Sequence, residues 1–266
     1  MISRGKRNVL GVSVDVIDYE SAVDQIIKAA KAKRAFSVTA LAVHGVMTGA
    51  MDPEQRFRLN QFNLVVPDGQ PVRWALNLLH SAKLSERVYG PTLMLKLCER
   101  CAKERLPIYL YGSNAEVLAK LCLRLRARFP KLELAGAQPS RFRRVTAEEK
   151  SEIVKTIRAS GARVVFVGLG CPRQEVWAYE YRNALSLPVI AVGAAFDFHA
   201  GTVSQAPPSL QRAGLEWLYR LAREPRRLWR RYAYLNPLYV AMVTAQATGL
   251  RKVGPGTRPD QEENYG

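Results

Sequence analysis

The chain has 266 residues, 48% of them hydrophobic, which suits one large domain or one domain with an appendage. Lysine and arginine outnumber aspartate and glutamate 40 to 23, a formal charge of +17, so the partners to look for are anionic: nucleic acid, an anionic membrane face or phosphorylated substrates. Four cysteines in a chain this long argue against a disulfide scaffold. MISRGKRNVL at the start lacks the apolar stretch of a secretory signal, and no apolar run reaches membrane-spanning length.

Val9–Val16 reads as a first strand, followed by a helix over Tyr19–Ala32, a strand over Ala35–Leu41 and a helix over Ala42–Ala50. Asp52-Pro53 is a cap and first-turn pair opening a short helix to Asn60. Asn63–Val66 is a short buried strand, and Pro71–His80 and Pro91–Glu104 are helices. Cys98 and Cys101 fall late in the second of these, away from the helix start that a redox pair needs, and read as core or surface thiols. Next come strand Ile108–Tyr111, helix Ala115–Phe129, strand Leu132–Ala135 and a helix that starts at the capping box of Thr146 and Glu149. Val164–Val167 and Val189–Val192 are further buried strands with a helix between them. This alternation predicts an α/β fold with a Rossmann-like, mainly parallel sheet flanked by helices.

The pattern changes after residue 205. Residues 1–205 are expected to form the α/β catalytic domain and 206–250 a basic amphipathic helical appendage, broken at Pro225. Residues 251–266, polar and rich in glycine and proline, are expected to be a disordered tail.

Four strand-to-helix corners carry the candidate chemistry. Gly168-Leu169-Gly170 turns the chain into a polar helix start with Gln174 and Glu175, where free N–H groups favour anions. Asp68 follows a strand in Pro67-Asp68-Gly69, Ser113-Asn114 follows another, and Gly193-Ala194-Ala195-Phe196-Asp197 follows a third. Several such corners on one rim make a cleft at the carboxyl ends of a parallel sheet, whereas each alone also reads as an ordinary turn or helix cap. His199 is the histidine best placed to line that cleft. Walker, H-E-x-x-H, G-x-S-x-G and D-x-D patterns are all missing, so no metal and no cofactor are expected, and a bound diphosphate would need arginines for neutralisation.

The residues from Thr39 through Pro67-Asp68-Gly69, Arg87-Val88-Tyr89-Gly90-Pro91, Phe129-Pro130, Val167–Glu175, Gly193–Phe198, Gly214–Leu221 and Glu224–Tyr232 resemble the WecG/TagA/CpsF bacterial glycosyltransferases, in family order and over most of the chain. The resemblance implies an inverting transfer of a hexose-type sugar from a UDP donor to a polyprenyl-diphosphate-linked saccharide. The sugar would be N-acetylmannosamine, its uronate, or a related glucose or glucuronate. It implies a peripheral protein on the inner membrane face, with Asp68 as general base and Thr39, Arg87 and Gln174 in the substrate site. It also implies that appendage arginines among Arg220, Arg223, Arg227 and Arg230 close over the site. A second copy of the chain is a further candidate partner, which the sequence does not decide. Two departures bear on the sugar: Leu41 stands where the family often has asparagine, and Gln205 where it commonly has arginine or lysine.

The rival reading is a basic nucleic-acid-binding α/β protein. It needs charge spread over a groove with aromatic platforms, whereas here much of the charge lies on one amphipathic appendage. A dinucleotide-dependent oxidoreductase lacks its G-x-G-x-x-G fingerprint.

Overall fold

The computed structural model describes residues 1–250 and 252–266. In chain order the elements are β1 (Ser3–Val9), β2 (Val12–Ile17), α1 (Tyr19–Lys31), β3 (Phe36–Leu41), α2 (Val43–Met51), α3 (Pro53–Asn60), β4 (Leu64–Pro67) and α4 (Gln70–His80). Then follow α5 (Gly90–Glu104), β5 (Ile108–Gly112), α6 (Ala115–Arg128), β6 (Leu134–Gln138), α7 (Ala147–Ala159), β7 (Val164–Gly168), α8 (Arg173–Leu185) and β8 (Pro188–Ala191). The last four helices are α9 (Ala195–Ala200), α10 (Pro208–Arg212), α11 (Glu216–Arg223) and α12 (Pro225–Ala247).

Six strands form a wholly parallel sheet in the order β4-β3-β8-β7-β5-β6. The apolar runs in these strands are continuous because both faces are covered. Val65, Val165, Val167 and Val189 enter one core with Trp177 and Tyr181 of α8, while Val66, Val164, Phe166 and Ile190 enter the other with residues of α1, α5 and α6. From β3 the chain goes outward to β4, then crosses to β5 and β6 and returns through β7 and β8. The central strands β3, β8 and β7 therefore lie where the strand order reverses, and the carboxyl ends of such strands are where open α/β sheets take their ligands.

One expected strand is in fact two. Leu10 and Gly11, at φ +55° and +88°, turn Val9–Val16 back on itself, so β1 and β2 form an antiparallel hairpin beside the main sheet. Both central residues of that two-residue turn need positive φ. Leucine hid the turn because it is an uncommon residue there; it is held by burial in the core, and Leu10 is fully buried. The helix after β7 begins at Arg173, with Pro172 as its N-cap.

The appendage is a short helical relay, α10 and α11, leading into the long α12. Pro225 separates α11 from α12 as expected, but the apolar Leu238–Ala247 segment is continuous with the basic part of α12 across Pro237. Its apolar half is anchored: Tyr239, Met242 and Val243 are buried, and the Tyr239 hydroxyl donates to Pro71 O at 3.2 Å. The Leu10 N–H donates to Gln246 Oε1 at 2.8 Å, tying the end of α12 to the hairpin turn. No helix among the described residues is long and apolar enough to cross a membrane.

The tail is a correction to the sequence reading. Its described part, 252–266, folds back on the α/β domain: the Glu263 and Asn264 N–H groups donate to the Glu180 carboxylate at 2.7 and 2.9 Å, and the Gly266 N–H donates to Arg143 O at 3.1 Å. Polar composition predicted disorder, but a buried carboxylate on α8 needs donors and the tail backbone supplies them.

Candidate active site

Asp68 stands just past β4, on the rim of the crevice. Its own N–H donates to Leu41 O at 3.0 Å, and the Val88 N–H donates to Pro67 O at 3.0 Å, so the turn is fixed to both neighbouring segments. Asp68 Oδ1 accepts the Gly90 N–H at 2.6 Å. Gly90 packs closely there: a Cβ would lie 3.1 Å from the Ala40 Cβ, tighter than an ordinary contact. Dense surroundings push the Asp68 carboxyl up to about 6, with Glu216 adding to the rise; Arg87, the Gly90 N–H and Arg220 oppose it. A carboxyl poised in that range can take a proton near neutral pH.

Arg87 lies beside it. Its guanidinium covers the Tyr89 ring at 4.1 Å from the centroid, and Nη2 donates to Glu216 Oε2 at 2.6 Å. The Tyr89 hydroxyl donates to Glu216 Oε1 at 2.7 Å. Sequence reasoning missed Glu216 and Tyr89 as site residues. One signal was available: Glu216 and Glu224 are the only carboxylates in the arginine-dense stretch from Leu210 to Arg231, and an acid in such a stretch marks an ion-pair partner.

Thr39 and Gln174 converge, but on a carboxyl and away from solvent. Thr39 Oγ1 donates to Glu175 Oε1 at 3.0 Å, and Gln174 Nε2 donates to the same oxygen at 2.9 Å. All three side chains are buried. Burial raises the Glu175 pKa against these hydrogen bonds, with the Cys171 thiol as a further neighbour. Gln174 Oε1 is buried without a partner and lies beside Gly193, where an added Cβ would stand 3.1 Å from it. Gly193 has φ +52° and Gly170 φ +77°, both in the left-handed region, and beside Gly170 there is open space.

Gly168 and Phe196 build the floor of the crevice. Phe196 is fully buried, and its ring lies where a Gly168 side chain would be. Asp197 is half-buried on α9, near Thr202; burial raises its pKa and the Arg227 charge lowers it. His199 is partly buried, and its Nε2 is paired with Pro91 O at 2.9 Å.

The appendage arginines divide. Arg220 lies over the Phe198 ring at 5.8 Å, its Nε is buried without a partner, and its charge reaches Asp68. Arg227 is exposed and paired with Glu224. Arg223 and Arg230 are exposed and lie over Tyr219 and Trp229 of their own helices, so the structure does not bring them to Asp68. Arg231, absent from the expected set, is half-buried near His44 and Cys171. Burial and the nearby Arg227 and Arg220 lower its pKa, and burial with Arg231 pushes His44 down to about 4. Arginines that repel one another in this way are the kind of cluster that an anion would stabilise. Among the described residues, no group of three or more His, Cys, Asp or Glu side chains converges to hold a metal ion.

At the switch point of the parallel sheet the raised Asp68 carboxyl thus has Arg87 beside it and Arg220 of the helical appendage within electrostatic reach. The Glycosyl transferase WecG/TagA/CpsF family matches residues 7–253, and the chain belongs to this family. It is also similar to the N-acetylglucosaminyldiphosphoundecaprenol N-acetyl-beta-D-mannosaminyltransferase of Bacillus spizizenii, with 32% identity over 212 residues, 79% of each chain. Neither match supports the nucleic-acid reading.

Proposed function

We propose that the chain transfers a hexose-type sugar, with inversion, from a UDP-sugar to a polyprenyl-diphosphate-linked saccharide in bacterial envelope polysaccharide synthesis. The relative's printed name supports a polyprenyl-diphosphate-linked acceptor and makes N-acetylmannosamine the first sugar to test. The observation that carries the reading is Asp68, a rim carboxyl raised to about 6 beside Arg87.

In this account the acceptor hydroxyl approaches Asp68. Oδ1 is held by the Gly90 N–H, which leaves Oδ2 to take the hydroxyl proton as oxygen attacks the anomeric carbon. Such a base contributes roughly 10²–10⁴-fold. The C–O bond to UDP breaks on the opposite face of the sugar. Arg220 and Arg231, with the backbone of the Leu169-Gly170 turn, stabilise charge on the departing diphosphate without a metal ion. Thr39, Gln174 and Glu175 support the crevice wall from inside the protein through their hydrogen bonds to one another.

Peripheral binding to an anionic membrane surface fits the appendage. Leu218, Trp229 and Tyr234 are exposed large apolar residues among exposed arginines, a combination suited to a lipid interface. The direct test is a panel of UDP-sugars offered with N-acetylglucosaminyl-diphospho-undecaprenol, with and without EDTA. Transfer from at least one UDP-sugar that survives chelation is expected; no transfer from any, or loss on chelation, contradicts the donor or the metal-free account respectively.

A further inference from the structure

Glu216 is the first residue of α11, and both of its carboxylate oxygens are spent on the α/β domain. Oε2 accepts from Arg87 and Oε1 from the Tyr89 hydroxyl. The pair is well shielded, with the Arg87 side chain 10% and the Glu216 side chain 13% exposed. Two amides complete the cluster: Gln211 Oε1 lies 3.4 Å from Arg87 Nη2, and Gln205 Nε2 lies 3.4 Å from the Tyr89 oxygen. A shielded ion pair of this kind fixes geometry more than it adds net stability, because desolvation offsets most of the attraction. The geometry being fixed is that of the base. Tyr89 immediately precedes Gly90, whose N–H holds Asp68 Oδ1, and Arg87 is the leading positive charge on Asp68.

We propose that Glu216 is a positioning residue of the transfer reaction: it docks the appendage onto Arg87 and Tyr89, and through them holds Asp68 in the place a general base requires. The proposal rests on the reading of Asp68 as that base. It makes the reaction conditional on docking of α11, since the carboxylate that balances Arg87 arrives only with the appendage. Glu216 also offsets the Arg87 charge, and without it Arg87 would bear wholly on Asp68 and weaken it as a base.

The test compares the full-length wild type with Glu216→Gln, Glu216→Asp and Asp68→Asn, using UDP-N-acetylmannosamine and N-acetylglucosaminyl-diphospho-undecaprenol. Glu216→Gln keeps the side-chain shape and an acceptor for Tyr89 but removes the charge. Its kcat is expected to fall at least about tenfold while KM for the donor stays within about threefold. The acid limb of its kcat profile is expected to move to lower pH, and amide exchange over residues 216–223 to quicken about tenfold or more. Glu216→Asp should recover part of the turnover. Wild-type turnover and acid limb in Glu216→Gln overturn the proposal, as does unchanged exchange protection of α11 or a loss confined to KM. Asp68→Asn separates the two ideas: wild-type turnover there refutes the base assignment itself, whereas exchange over α11 reports on Glu216 docking whatever the base is.

Discussion

Thr39 and Glu175 lie 136 residues apart in sequence and meet inside the protein, the Thr39 hydroxyl donating to Glu175 Oε1 at 3.0 Å. The bond joins β3 to the first turn of α8 and so spans the point where the strand order reverses. Replacing Thr39 by Val keeps the shape and leaves Glu175 one donor short in a buried site. Thermal or urea denaturation should show a loss of about 1–3 kcal/mol. If Thr39→Val is as stable as wild type, the hydroxyl does not support Glu175.

Gly168 has a steric role. A Cβ at this position would stand 2.7 Å from two ring atoms of Phe196. Gly168→Ala is expected to cost about 1–3 kcal/mol through overpacking, and Phe196→Leu in the same chain should return part of that cost. Additive losses in the double variant would show that the two residues do not share the space.

Asp68 should tax the stability of the fold. The folded chain binds its proton more tightly than the unfolded chain, since burial raises the carboxyl from its ordinary 3.8 to about 6. The folded state therefore carries the extra proton between those values, and stability falls as pH rises through that window. Asp68→Asn removes the ionised group, so it should be more stable than wild type by up to about 3 kcal/mol above pH ~6, with the gain fading toward pH ~4. A gain that is constant with pH, or a loss at pH ~8, counts against the raised carboxyl.

These expectations show what the sequence could and could not disclose. The parallel sheet was readable because Val164–Val167 and its counterparts are apolar on both faces, and helix starts such as Thr146 and Asp52 carry their own capping chemistry. Asp68, Arg87 and Gln174 stood at glycine and proline corners or in family motifs. The hairpin turn was masked by Leu10, whose conformation is set by burial. Glu216, Tyr89 and Arg231 were not singled out because their roles depend on pairings across more than 100 residues, which no local periodicity records. The docked tail was missed for a similar reason: its partner Glu180 lies 83 residues away from Glu263.

The appendage supplies a separate prediction. Trp217 and Trp229 are 37% and 52% exposed. Changing both to Ala should reduce co-sedimentation with vesicles containing anionic lipid at least about fivefold and leave the chain folded, while added salt should weaken binding of wild type and variant alike. Vesicle binding that is unaltered by the double change would show that the aromatic residues do not contact lipid.

The central claim is that Asp68 takes the proton from the acceptor. Its most direct measurement is single-turnover transfer by Asp68→Asn from UDP-N-acetylmannosamine to N-acetylglucosaminyl-diphospho-undecaprenol, with donor affinity measured on the same preparation. The account predicts a rate at least about 10²-fold below wild type with donor affinity within about threefold. Transfer at close to the wild-type rate would contradict it.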